Sequence, residues 1–229
     1  VTDPASKLAD RLIRHDAPLR QSVSDDVADQ IRRMVYYGEL RDGERVPQRQ
    51  LAEAFGVSSV PVREALAGLQ REGVVTIEQN RGAFVNGLDA DVIVEQFYVY
   101  GRIYGRAARV AAERADDATV AKLVKLEKEI QQARDMDVLR ALGVRFQMTI
   151  VDAGGSKRLR ALFTPLSLIV PGNFLETVPG SDELTRSGVK RIANAIKARH
   201  AADAEQACWE LIDEIGELVA EQFRQRTTP

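Results

Sequence analysis

GVSSVPVREALAGLQREG, residues 56–73, holds a proline inside what otherwise reads as a helix, and that helix begins almost on top of the one before it. Ser58 or Ser59 caps it, so Pro61 falls in the first turn, where a proline is tolerated. Val62, Leu66 and Leu69 give the buried stripe, and Gly73 ends the segment. The proline therefore starts a helix. Upstream, PQRQLAEAF is a second short helix with Pro47 in its first turn and Gly56 at its end. Before it, Val23, Val27, Ile31, Met34 and Val35 recur at helical spacing, Gly38 marks a stop, and RDGERVP is a turn. After Gly73 the period changes: VVTIEQ alternates, NRG signals a turn, and AFVNG completes a hairpin. Three short helices followed by a hairpin predict a winged helix-turn-helix.

The remaining chemistry is bounded by composition. The chain has 229 residues, room for one large or two ordinary domains, with 45% apolar and 29% charged residues. A net charge of −2 lacks the bulk basicity of a general polyanion binder, so recognition of nucleic acid would rest on locally clustered arginines. One cysteine, Cys208, rules out an internal disulfide and fits a reducing compartment. VTDPASKLADRLIRHD has no apolar run of the kind a signal peptide needs, and the longest apolar stretch, around LSLIVP, is too short to span a bilayer. The expected setting is cytoplasmic, with no membrane partner.

Residues 1–20 are expected to form a flexible arm, 21–87 the winged domain, and 88–229 a helical domain. Past Gly87 six helical segments follow, beginning LDADVIVEQF (Asp89 or Asp91 as cap), DDATVAKL, DMDVLRAL, SKRLRALF, SDELTRSG and AADAEQAC. The fourth is broken or kinked at Pro165 and Pro171. Short connections make this an antiparallel bundle, so the fold class is mainly α: a three-helix winged domain, then an all-α bundle of about six helices.

A helix that enters the major groove presents its N-terminal side chains to base edges while its other face packs on the domain. Ser58, Ser59 and Arg63 lie on that outward side. Arg63 can reach guanine O6 and N7 or a phosphate, and the serines can bond either. Arg49, on the preceding helix, is placed for bases or backbone. Arg81, at the hairpin tip, is placed for the minor groove, with Gly82 letting the backbone come close. The plainer reading makes Arg49 a solvated charge and Arg81 a turn residue.

The segments GEL, DGERV, LAEAFGVSSVPVREAL, LQREGVV and GAFV together resemble the DNA-binding domain of GntR-type bacterial transcription regulators over Val27 to Val85. The resemblance implies operator binding as a homodimer, more often in repression. It puts the DNA-contacting positions on Arg49, Ser58, Ser59, Arg63, Arg81 and Gly82. The family's usual S-R-T-P is here Ser58-Ser59-Val60-Pro61. Loss of a bidentate arginine removes about 1–3 kcal/mol of discrimination at one base pair, so a shifted operator preference is expected.

From about residue 89 to 226, AARVAAERA, F-x-M-x-I-V-x-A-G-G and I-A-N-A-I-K-A-R resemble the effector-binding bundle of the FadR-like branch. In many relatives an aspartate and three histidines there bind a divalent metal, often beside a small carboxylate effector. Those positions fall here on Gly143, Gln147, Val189 and Glu214, and the branch's Arg and Glu fall near Tyr100 and Tyr104. Only His15, in the arm, and His200, at a helix end, exist, so no metal or other cofactor is expected. Phe97, Tyr100 and Tyr104 share an inner helix face above Ile93. The expected effector pocket adds Gln147 and Glu214 as polar groups, and Arg102, Arg106 or Arg145 to meet an organic acid or acyl derivative. Two alternatives stand beside it: the aromatic stripe is core and the bundle only dimerises, or the bundle is an enzyme. The enzyme reading has no support, for there is no Gly-rich phosphate loop, no H-E-x-x-H and no Ser/His/Asp arrangement.

Overall fold

A computed structural model describes residues 22–168 and 177–227. The expected arm at 1–20, His15 and the break at Pro171 lie outside the described residues. The chain divides into two compact units, one ending at Leu88 and the other beginning at Asp89.

In the first unit α1 spans Val23–Tyr36, α2 Gln48–Phe55 and α3 Ser59–Arg71, followed by β1 (Val75–Glu78) and β2 (Gly82–Val85). Ser22 opens α1 with a reciprocal cap: its hydroxyl accepts from the Asp25 N–H at 3.2 Å, and its own N–H donates to the Asp25 carboxylate at 3.0 Å. Three residues separate α2 from α3, with Gly56 in the left-handed conformation (φ 62°). Ser58 is the cap of α3 and Pro61 its third residue, so the ring sits where no intrahelical N–H is needed. The strands pair antiparallel from Val75↔Val85 to Glu78↔Gly82. Ile31, Leu51, Leu66 and Leu69 are almost fully buried at the centre, each worth about 1.5–3 kcal/mol. Arg32 ties α1 to the end of α3 through a two-pronged pair with Glu72, 2.8 and 2.9 Å long.

The second unit is a bundle of six helices among the described residues: α4 (Ala90–Arg114), α5 (Asp117–Gln132), α6 (Met136–Gly154), α7 (Lys157–Leu166), α8 (Ser181–Lys197) and α9 (Ala201–Thr227). Aspartates or a serine cap four of them: Asp89, Asp116, Asp135 and Ser156 each accept a hydrogen bond from a first-turn N–H. Pro165 is the penultimate residue of α7 and ends it rather than kinking a longer helix. Helix α4 is the axis, packing along α9 and also against α6, α7 and α8. Its inner stripe of Ala107, Ala108, Ala111 and Ala112 is fully buried. Small residues let backbones meet here: a Cβ on Gly154 of α6 would stand 1.7 Å from the Ala107 carbonyl oxygen. Arginines satisfy carbonyls at two helix ends, Arg199 at Ala115 O (2.5 Å) after α4 and Arg186 at Ala133 O (2.6 Å) after α5. His200 follows the end of α8, where its N–H donates to the Ala195 carbonyl at 3.0 Å. It also precedes α9, where its carbonyl accepts from the Ala204 N–H and its Nδ1 stands 3.3 Å from the Asp203 carboxylate.

Candidate functional site

The outward face of the first unit is built by α3 and the hairpin. Because Val62, Ala65, Leu66 and Leu69 are buried, helical geometry turns Ser59, Val60 and Arg63 to solvent at the N-terminal end. Ser58 is occupied as the cap, its hydroxyl accepting from the Val60 N–H at 3.4 Å. Arg63 is held against the helix: Nη2 donates to the Ser59 hydroxyl at 2.7 Å and Nε to the Ser59 carbonyl at 3.4 Å. A pre-ordered guanidinium loses less side-chain freedom on meeting a base or phosphate. Val60 is 54% exposed, an apolar side chain on the polar end of this helix.

Arg49 on α2 is more exposed, at 92% of its side chain, and pairs with Glu53 at 2.8 Å. That carboxylate raises the arginine's pKa, through its hydrogen bond first and its charge second. Arg81 is the last residue of the three-residue turn of the hairpin, pairs with Glu78, and lies over the Phe84 ring at 5.5 Å. Gly82 has φ +113°, a conformation that side chains rarely adopt. Sequence reasoning passed over Arg45, which bridges to Phe84 and lies against Gly82. Its segment RDGERV reads as a turn in sequence, and only the pairing of that segment with β2 in space brings it here.

In the bundle the structure brings together Tyr100, Tyr104 and Gln147. The Tyr100 hydroxyl donates to Gln147 Oε1 at 3.1 Å. The Tyr104 hydroxyl is hydrogen-bonded to the Cys208 thiol of α9. Both hydroxyls are thus inside the bundle and satisfied there. Phe163 of α7 lies across both rings, 5.1 Å from that of Tyr100 and 5.7 Å from that of Tyr104, and Phe97 meets Tyr100 edge-on at 6.2 Å. Burial pushes all three protons to higher pKa: Tyr100 and Tyr104 well up by desolvation and then by Cys208, and Cys208 well up by desolvation against a smaller lowering from Tyr104. Phe163 and Cys208 were missed as members of this cluster, since neither spacing nor motif links α7 and α9 to α4.

Four expected pocket residues are not at this cluster. Arg102 stands two positions from both Tyr100 and Tyr104, about 200° round the helix. It faces α9, packed between the rings of Tyr98 (4.1 Å) and Trp209 (4.7 Å), and pairs with Asp213 at 3.1 Å. Arg145 is two positions from Gln147 and exposed for the same reason. Glu214 is exposed on α9, with its carboxylate 3.9 Å from Arg191. Arg106 is likewise exposed. A shallow cleft between α8 and α9 has its charges already paired, Arg191 and Gln206 both bonding Glu210. Among the described residues no cluster of three His, Cys, Asp or Glu side chains is placed to hold a metal ion, and no helix is long and apolar enough to cross a membrane.

Comparison with known proteins agrees with both halves. Residues 23–85 match the bacterial regulatory proteins of the gntR family, and residues 99–214 match the FCD domain. An uncharacterized HTH-type transcriptional regulator of Mycobacterium tuberculosis is 27% identical over 203 residues, 88% of this chain and 83% of the relative. The HTH-type transcriptional repressor NanR of Salmonella newport is 28% identical over 176 residues, 68% of each chain. Among solved structures, E. coli McbR/YncC superposes with a TM-score of 0.67 at 20% identity, covering 89% of this chain and 99% of that one. A GntR family member from Pseudomonas syringae superposes with a TM-score of 0.52 at 18% identity, covering 95% and 92%. These names are those of transcription regulators, not enzymes. With a DNA-binding helix-turn-helix matched at one end and an effector-binding FCD domain over half its length, the chain belongs to the FadR-like branch of the GntR family of transcription regulators.

Proposed function

We propose that this regulator is a repressor that binds a palindromic operator as a homodimer, reading it through Arg49, Ser58, Ser59, Arg63, Arg81 and Gly82. The observation that carries the reading is the outward N-terminal end of α3, where Arg63 is pre-ordered by Ser59 and no core contact uses it. The repressor sense is supported by the name of the NanR relative. The winged unit (21–87) would read DNA and the remainder (88–229) would dimerise and sense. Full-length protein is titrated by fluorescence anisotropy onto DNA flanking its own gene and onto a scrambled duplex at fixed salt. Specific binding about 10³-fold tighter than non-specific is expected. Equal, weak binding to both, persisting for the best duplex selected from random DNA, would sink the proposal. Ser59→Arg combined with Val60→Thr should move the selected operator toward that of ordinary family members, and an unchanged selection would refute the part assigned to these two residues.

The effector reading is a metal-free site centred on Tyr100, Tyr104 and Gln147, taking an organic acid or acyl derivative. Occupancy would bias DNA affinity by the ligand's differential affinity for the two states. A second reading is favoured by Phe163 lying across both tyrosines: the cluster is core and the bundle only dimerises. Thermal shift against small carboxylates and acyl thioesters separates them. A ligand at 100 times its Kd stabilises by about 2.7 kcal/mol, and Gln147→Leu should abolish that shift.

A further inference from the structure

The two-stranded hairpin is extended at its β2 edge by an isolated bridge. Residues 43–46 run antiparallel along β2: the Val46 N–H donates to Ala83 O at 2.8 Å, the Val85 N–H to Glu44 O at 2.9 Å, and the Gly43 N–H to Val85 O at 3.0 Å. Arg45 is the bridge partner of Phe84. Val46 is buried at 2% exposure, so strand alternation turns Arg45 to the outer face, the face that also carries Phe84.

From there the Arg45 side chain reaches the hairpin tip. Its Nε, Nη2 and Cζ stand 2.8, 3.2 and 3.4 Å from where a Cβ on Gly82 would be. The missing side chain of Gly82 is therefore the seat of a guanidinium from 37 residues upstream. The Arg81 side chain also reaches this strand, over the Phe84 ring. The two cations differ in one respect. Arg81 is neutralised by Glu78, whereas Arg45 has no carboxylate within ion-pair distance among the described residues. Arg45 is exposed, and it supplies the unbalanced positive charge of the wing tip.

We propose that Arg45 is a further DNA-contacting residue, whose guanidinium takes a phosphodiester oxygen of the strand beside the wing. The inference rests on the DNA-binding reading above. A guanidinium laid along the backbone at Gly82 contributes charge and position but no base identity. Its loss should therefore weaken specific and non-specific complexes alike.

The test measures Kd of the full chain for its selected operator and for a scrambled duplex across a salt series, with Arg45→Gln and Arg45→Lys. One lost phosphate contact lowers the slope of log K against log salt by about 0.9 per bound copy. Arg45→Gln should show that lower slope and a several-fold weaker Kd on both duplexes. Arg45→Lys should restore the slope. An unchanged slope and Kd in Arg45→Gln, with wild type binding normally, would overturn this inference alone. A loss confined to the specific operator would assign Arg45 to base contact and overturn it as well. Absence of DNA binding by the wild type would overturn it together with the reading beneath it.

Discussion

Raising the pH should unfold the bundle early, because three acidic protons in it are buried together. The hydroxyls of Tyr100 and Tyr104 and the thiol of Cys208 are held above their ordinary values, 10.0 for the tyrosines and 9.0 for the cysteine, mainly by desolvation. The sign follows from proton binding. Below pH 9 both folded and unfolded chains keep all three protons and stability is flat. Above it the unfolded chain releases the Cys208 proton, and above pH 10 the tyrosine protons, while the folded chain does not. Stability then falls by about 1.4 kcal/mol per pH unit for each group past its unfolded value. While the folded chain keeps all three protons, the cost at pH 11 rises to at most about 5 kcal/mol, against a total stability of order 5–15 kcal/mol for a domain. Trp209 is the chain's single tryptophan and sits on α9, so its fluorescence reports unfolding of the bundle by denaturant at each pH. The denaturation midpoint should be level to pH 9 and then drop steeply. In the variant Tyr100→Phe/Tyr104→Phe/Cys208→Ala the whole curve is lower but most of that added slope is gone. A wild-type midpoint that stays level to pH 11, or an equal slope in the variant, would refute the placement of these protons in the core.

Three other outcomes are expected. Gly154→Ala pushes a methyl to 1.7 Å from the Ala107 carbonyl oxygen, a backbone atom that no rotamer change can relieve; overpacking of this kind costs about 1–3 kcal/mol or more, seen as a melting point several degrees lower. Arg32→Leu strands the Glu72 carboxylate, whose side chain is only 18% exposed, and should destabilise the winged unit by about 3 kcal/mol, with partial recovery in Arg32→Leu/Glu72→Leu by urea denaturation. Cys208, buried and with its thiol pKa pushed well up, should resist a thiol-labelling reagent at pH 8 in the native protein and react fully in denaturant, a contrast read directly by mass.

Local signals carried most of the fold. Pro61 behind a serine cap, Asp89 and Asp116 before apolar runs, and Gly56 between two helices each act within a few residues, and the structure has the elements they imply. The site was legible only where its geometry is equally local. Tyr100 and Tyr104 are one turn apart and do share a face; Arg102 and Arg145 sit two positions from Tyr100 and Gln147, and that spacing alone sends them away from the cluster. What spacing cannot supply is which helices become neighbours. The thiol of Cys208 and the ring of Phe163 reach the tyrosines because α9 and α7 pack on α4, and for α9 a glycine admits the close approach: a Cβ on Gly105 of α4 would stand 2.8 Å from the Glu205 carbonyl oxygen.

The same distinction governs the charge of the DNA-facing unit. Counting residues gives a near-neutral chain, and the local pairs explain why that count is uninformative. Glu53 beside Arg49 and Glu78 beside Arg81 neutralise two of the cations at no cost to the fold, since both pairs are exposed and weak. An exposed pair of this kind can trade its carboxylate for a phosphate, but the carboxylate stays nearby and repels the incoming anion. On the proposed reading, Arg49 and Arg81 are thereby weakened as general polyanion anchors and depend on placement to contribute. Removing the carboxylates should therefore raise affinity for any duplex while narrowing the gap between operator and scrambled DNA. Glu53→Gln and Glu78→Gln together test this by anisotropy at one salt concentration. A specificity ratio that holds or rises in the double variant would mean that the acids serve the fold or solubility and have no part in discrimination.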